Sequence, residues 1–329
     1  EGGKVELRIE TAGDIFTATN GKRDNQYFDF YLVNWYPRPR TGFQSRFTFE
    51  LTARTRKPYR PVASGDTVSL TEEGDRYVLR TKCVIPTWDV ALFAGRYRTF
   101  EHKEQRWTVR LYAYALLPDV QLQGIAKNAA AFLSAYEEQY GTYPSTELNL
   151  VEVPELDEVG ALGVSPMNMV LFSTGMARTT SSTRLSVFAT HGQLRTNGVL
   201  AHEIAHQWFG HREWPGRPED NWLAESFAEY AGGLATGYVI EKAHVDPRDV
   251  ISFKQLVEVW RSKGTMVGER GTIAGANLLA GFEAGEYRYL LLYHQGPLVV
   301  HMLRTLVGDQ RFATICRRLL ALADNGPVT

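Results

Sequence analysis

Cysteine is scarce in this chain. Only Cys83 and Cys316 occur among 329 residues, far apart and in no metal-ligand spacing. No cysteine-held metal site is therefore expected, and the pair neither demands nor excludes an oxidising compartment. A charge of one sign is also lacking. With 36 basic and 37 acidic side chains the formal net charge is −1, which offers no field to attract nucleic acid or anionic lipid. No apolar run approaches the 18 residues a membrane span needs, so none is expected. Internal repeats and low-complexity linkers are missing as well. The one locally basic run, "RPRTGFQSRFTFELTARTRKPYR", carries Phe47, Phe49 and Leu51 in alternation with polar residues. It reads as a strand with a solvated basic face rather than a polyanion site.

What is present is apolar mass. A hydrophobic fraction of 44% over this length is ample for packed cores and points to two domains. Residues 1–117 read as β: "VELRIE", "YFDFYLV", "RFTFELTA", "RYVLRTKCV" and "WTVRLYAYA" alternate or are rich in β-branched and aromatic residues. "TEEGDRY" supplies a turn between two of them. The period changes near Pro118. Leu122, Ile125, Ala129, Phe132, Leu133, Tyr136 and Tyr140 then mark a helix ending at Gly141. "TELNLVEV" and "NMVLF" read as strands. "DPRDVISFKQLVEVWRSKG" reads as a helix with Asp246 as its cap, Pro247 at its first position and Gly264 after its end. "EYRYLLLYHQGPLVVHMLRTLVG" is helical in period, and Gly296-Pro297 should kink or break it just past Tyr293. The expected class is α+β, with an antiparallel β-sheet domain over 1–117, itself partial, and a mixed sheet-and-helix domain over 118–329.

The chemistry lies in "NGVLAHEIAHQWFGH", residues 197–211. Helical residues four apart share one stripe, so His202 and His206 can bind one cation. Glu203 sits on the flank of that stripe, poorly aimed as a ligand but well placed as a base. Asn197 is the candidate cap and Gly210 the candidate stop. A catalytic zinc keeps three protein ligands and one open position. Glu225 stands 19 positions beyond His206 in a second helical stretch, "EDNWLAESFAEYAGG". That interval is long enough for the chain to turn at Pro215-Gly216 and return antiparallel. Glu229, one turn further on, reads as a solvated or supporting carboxylate rather than a further ligand.

These residues resemble a known family. "HEIAHQWFG" followed by "WLAESFAEY" is similar to the gluzincin zinc aminopeptidases, the aminopeptidase N and leukotriene hydrolase family. Those enzymes carry the same H-E-x-x-H and a third ligand within W-L-N-E-G-F-A. "YEEQYGTYPSTELNLVEVP" and "YHQGPLVVHMLRTLVGDQRF" extend the likeness over about residues 88–320. The resemblance implies a thermolysin-like catalytic domain, one Zn2+ per chain and peptide substrates. By the family's Y-x-x-G pattern it also implies a catalytic role for Tyr293, although Tyr287 and Tyr289 are nearby candidates.

The departures are as informative. The family's G-A-M-E-N segment holds the substrate's amino terminus with its Glu. The matching segment here is "GALGV", so Gly160, Ala161 and Gly163 line the substrate site and Gly163 stands at the anchoring position. Ala224 replaces the Asn before the third ligand, and His294 the Glu after the tyrosine. The expected activity is zinc-dependent peptide hydrolysis, aminopeptidase-like but with a weakened hold on the free amino terminus. Glu203 would be the base and Tyr293 the oxyanion donor. Two other readings stand beside it: a catalytically silent zinc-binding scaffold or peptide-binding protein, and a hydrolase of a non-peptide substrate such as an epoxide. The chain begins with Glu rather than Met, which fits a soluble protein whose export signal, or a larger segment, has been removed. Relative to the resembled family it is short at both ends, without a long C-terminal helical domain.

Overall fold

A computed structural model describes residues 6–12, 27–29, 35–37, 45–113, 118–153, 156, 163–174, 197–213, 215–243, 252–267 and 287–323. The chain forms two compact units, Glu1–Tyr97 and Arg98–Thr329. The division falls upstream of Pro118 because the last two β-type segments before that proline belong to the sheet of the second unit.

Among the described residues the first unit holds two three-stranded sheets, both antiparallel. In one, β2 (Phe47–Arg56) and β4 (Asp66–Glu73) flank β5 (Arg76–Thr87). In the other, β1 (Tyr27–Asp29) and β3 (Arg60–Ala63) flank β6 (Leu92–Gly95). Alternation explains the first of these sheets. On β2, Phe47, Phe49, Leu51 and Ala53 turn inward while Thr48, Glu50, Thr52, Arg54 and Arg56 are exposed. Ala53, Ala63, Leu79 and Leu92 form a small buried cluster with Trp35, Leu51 and Leu70 against it. "VELRIE" departs from expectation. Residues 6–12 have no regular structure, and Leu7 and Ile9 are exposed, so their alternation finds no partner strand among the described residues.

The second unit is built on a five-stranded mixed sheet among the described residues. Its strands are β7 (Arg98–Lys103), β8 (Thr108–Ala113), β9 (Glu147–Glu152), β10 (Gly163–Val164) and β11 (Met169–Phe172), in the order β10-β11-β9-β8-β7. β9 runs parallel to both neighbours and is buried along its whole length, as a central parallel strand must be. Both of its acids are partnered: Arg110 donates to Glu147, and Thr174 Oγ1 donates to Glu152 at 2.7 Å. The edge strand β10 pairs antiparallel with β11 and will form one wall of the site.

Helix α1 (Asp119–Tyr140) buries Leu122, Ile125, Ala129, Phe132, Leu133 and Tyr136, the stripe its period demands. Truncating Phe132 or Leu133 to Ala should cost about 2–5 kcal/mol. Tyr136 and Tyr140 meet Trp208 and Phe209, and the Tyr136 hydroxyl donates to Ala201 O at 2.7 Å. These contacts seat helix α2 (Asn197–Ala205), which carries the zinc-type motif. Asn197 is itself helical rather than the cap. The α-helix ends before His206, and Gly210 at φ +121 lies in the turns that follow.

A 3-10 turn at Pro218–Asn221 leads into α3 (Trp222–Ala243). Helix α4 (Phe253–Gly264) begins later than expected. Ser252 caps it in a reciprocal capping box with Gln255, while Asp246 and Pro247 lie outside the described residues; Gly264 is its last residue. Pro297 does not break its helix. A π turn, Leu291–Gln295, runs directly into α5 (Gly296–Val307), and Gln295 and Gly296 both keep helical backbone angles. Helix α6 (Asp309–Ala323) follows. No helix of the described residues is long and apolar enough to cross a membrane.

Candidate metal centre

Three side chains converge where α2, α3 and the π turn meet. His202 Nε2 and His206 Nε2 are 3.0 Å apart, and Glu225 Oε2 lies 3.5 Å from the first and 3.6 Å from the second. Four-coordinate zinc with bonds near 2.0–2.1 Å separates its donors by roughly 3.3 Å. The triangle therefore fits zinc in size, and the His₂Glu donor set fits it in chemistry. No other group of three such side chains converges among the described residues.

Both imidazoles are oriented from behind. His206 Nδ1–H donates to Phe209 O at 2.9 Å, which leaves Nε2 free to ligate. Glu229 Oε2 stands 3.2 Å from His202 Nδ1 and draws the ring proton to that side. Glu229 thus faces His202 from outside the triangle.

The electrostatics match this arrangement. Burial opposes a charged His202, but hydrogen bonding to Glu225 and Glu229 and the charge of Glu203 outweigh it, carrying its pKa up to about 10. That strong proton affinity marks a point where positive charge is welcome. Burial works against ionised Glu225 too, yet the imidazoles of His206 and His202 hold it well below the usual carboxylate range. Burial lifts Glu203 above that range, only partly offset by the two imidazoles, and a raised carboxylate pKa suits a group that takes and returns a proton. Burial, reinforced by the charge of Glu225, pushes the Tyr293 phenol well above its normal value, so the hydroxyl stays a donor. It donates to Glu225 Oε2 at 2.8 Å. Tyr289 instead stacks on Tyr293, with ring centroids 5.1 Å apart.

Gly163 of β10 lies against Glu203. Gly160 and Ala161 fall outside the described residues, as do Asp157 and Glu158. Several buried polar residues had no reading in the sequence. Ser165 Oγ donates to Glu203 O at 2.8 Å, and Gln207 Nε2 donates to Ser165 Oγ (2.7 Å) and Pro166 O (3.0 Å). Asn168 N–H donates to Gln207 Oε1 at 2.7 Å, and His211 Nε2–H donates to Ser165 O. This network ties the β10–β11 connection to the motif helix. A glutamine between the second histidine and the apolar pair Trp208-Phe209 was its only local signal. Ser226 was also missed; it stands where the resembled W-L-N-E-G-F-A stretch has glycine.

Comparison with known proteins agrees with this geometry. The model of the peptidase family M1 domain matches residues 126–326, more than half of the chain. The chain belongs to peptidase family M1. It is 25% identical over 281 residues to probable aminopeptidase 1 of Sulfurisphaera tokodaii, covering 80% of this chain and 32% of that protein. It is 29% identical over 181 residues to aminopeptidase 2 of Candida albicans, covering 52% of this chain and 18% of that one. The chain thus spans a third or less of these relatives. Among solved structures, the M1 zinc metallopeptidase of Deinococcus radiodurans superposes with a TM-score of 0.65 at 19% identity, over 94% of this chain and 65% of that one. That likeness concerns the fold.

Proposed function

We propose that this protein is a zinc-dependent metallopeptidase, aminopeptidase-like in fold, that hydrolyses peptide bonds with a reduced requirement for a free amino terminus. The observation that carries the hydrolytic part is Glu203 buried beside a convergent His202, His206 and Glu225 triangle, in a chain of family M1. Zinc, when bound by these three residues, supplies a Lewis acid that brings the pKa of water to about 7.

The residues of the chain do the rest. Glu203 accepts a proton from the attacking water and returns it to the departing amine, a task its raised pKa favours. The Tyr293 hydroxyl donates to the carbonyl oxygen as negative charge develops there, giving up Glu225 Oε2 as its partner. Loss of one such donor costs on the order of 2.7–4 kcal/mol. His206 holds its Nε2 free because Phe209 O occupies Nδ1, and Glu229 Oε2 faces His202 Nδ1 at 3.2 Å.

The relaxed amino-terminal requirement rests on Gly163. A peptide's free amine is a cation, and holding it at a fixed distance from the scissile bond needs a carboxylate. Gly163 has none to offer, which leaves Glu225 as the nearby acid that can meet it. The test is kcat/KM for one peptide with and without an N-acetyl cap. A modest preference for the free amine supports the reading. Discrimination of about a thousandfold, roughly 4 kcal/mol, would mean that another acid anchors the amine; Asp157→Asn and Glu158→Gln are then the variants to make.

A further inference from the structure

The contact between α3 and the π turn holds a device that the mechanism above does not use. In the π turn the Gly296 N–H donates to Leu291 O, five residues back. That bond skips the Leu292 carbonyl. The donor four residues beyond Leu292 is the same Gly296 N–H, already engaged. The donor five residues beyond would be Pro297, which has no N–H. Leu292 is 2% exposed, so water is a poor substitute, and an unpartnered buried carbonyl is costly.

Ser226 fills the gap from the neighbouring helix. Its side chain is fully buried, and Oγ donates to Leu292 O at 2.9 Å. The two helices touch at this point. A Cβ on Gly296 would overlap Ser226 Oγ and lie 2.6 Å from Ser226 Cβ, so only glycine permits the approach. Ser226 directly follows Glu225, and Leu292 directly precedes Tyr293. Joining 226 to 292 therefore brings 225 and 293 side by side, one step along on each element, and the Tyr293 hydroxyl meets Glu225 Oε2 at 2.8 Å.

We infer that Ser226, with the Gly296-Pro297 step, is a positioning residue for Tyr293: its hydroxyl caps the carbonyl that the π turn and the proline leave open, and so sets the tyrosine against Glu225. The functional meaning of this clamp rests on the peptidase reading, but its geometry does not. Ser226 touches no substrate. Its role is to remove the freedom of the π turn to rotate Tyr293 out of the cleft.

The experiment compares Ser226→Ala in the natural sequence and in a Tyr293→Phe background. Ser226→Gly serves as second variant, since it removes the same hydroxyl without adding bulk at Gly296. In the zinc-loaded protein, Ser226→Ala should lower kcat about tenfold, with KM and zinc content unchanged. In the Tyr293→Phe background it should lower kcat no further. A second readout is independent of turnover: the crystal structure of the Ser226→Ala protein should show the Tyr293 hydroxyl beyond hydrogen-bonding reach of Glu225. The inference is overturned if the kcat loss is equal in both backgrounds, if it is nil in the natural one, or if Tyr293 stays on Glu225 in the variant. Absence of peptide hydrolysis by the natural protein would instead remove the peptidase reading, and the crystallographic arm would still decide the clamp.

Discussion

Gly163 and Glu203 are in mutual contact: a Cβ on Gly163 would lie 2.7 Å from Glu203 Cγ and 2.8 Å from Oε1. The carboxylate of the motif helix occupies the space a side chain on the edge strand would need. The missing side chain at 163 and the seat of Glu203 are one feature. The backbone at Gly163 is not left-handed, so any substitution cost comes from space alone. Gly163→Ala should lower kcat by about tenfold or more while zinc content stays at one equivalent, because Glu203 must leave its seat. Gly163→Glu should not restore amino-terminal selectivity, since the new carboxylate and Glu203 compete for one place. Recovery of strong discrimination against N-acetyl peptides in Gly163→Glu would refute this account.

Glu203→Gln keeps the shape of the side chain and removes its ability to take a proton. Peptide hydrolysis should fall about 10²–10⁴-fold with zinc retained. Elemental analysis and turnover on the same preparation check both halves, and near-normal turnover would exclude Glu203 as the base.

Zinc should stabilise the fold through the triangle of His202, His206 and Glu225. At free zinc a hundred times Kd, the gain is about 2.7 kcal/mol. Thermal melting with and without a chelator should show it in the natural protein. His206→Ala should bind no zinc and show no chelator-dependent shift, while Glu229→Gln, which alters only the support of His202, should keep a weakened response.

His294 is 6% exposed, and neither ring nitrogen has a hydrogen-bond partner among the described residues. Burial, aided by the charge of Lys263, holds its pKa down to about 4. The unfolded chain therefore binds this proton below about pH 6.5, while the folded one does not until about pH 4. Above about pH 6.5 the ring is neutral in both states and adds no pH dependence. Stability is lost as the pH falls from there toward 4, by up to about 3 kcal/mol. Denaturant unfolding at pH 7.5 and pH 5 should show a smaller drop for His294→Leu than for the natural protein. Equal drops would mean that the ring is charged or solvated in the folded state.

The local periods of the sequence carried much of this. A stripe repeating every 3.6 residues determined α1 and brought His202, within α2, and His206, in the turn that follows it, to one side. Alternation determined β2 and β5, and Gly163, the second glycine of "GALGV", offers no carboxylate at its position. Ser-x-x-Gln at 252–255 is a legible cap that competes in the sequence with Asp246-Pro247. Other features depended on the partner a segment finds. "VELRIE" has the pattern of a strand and, among the described residues, no strand beside it. The two described residues of β10 are a strand because β11 pairs with them. Pro297 reads as a helix breaker, yet the carbonyl it leaves open is filled by Ser226, 66 residues away in sequence. Gln207, Ser165 and His211 form a network through contacts between α2 and the β10–β11 connection. Tertiary structure alone decided these points, because the free energy of an open carbonyl or an unpaired strand edge depends on groups that local sequence does not contain.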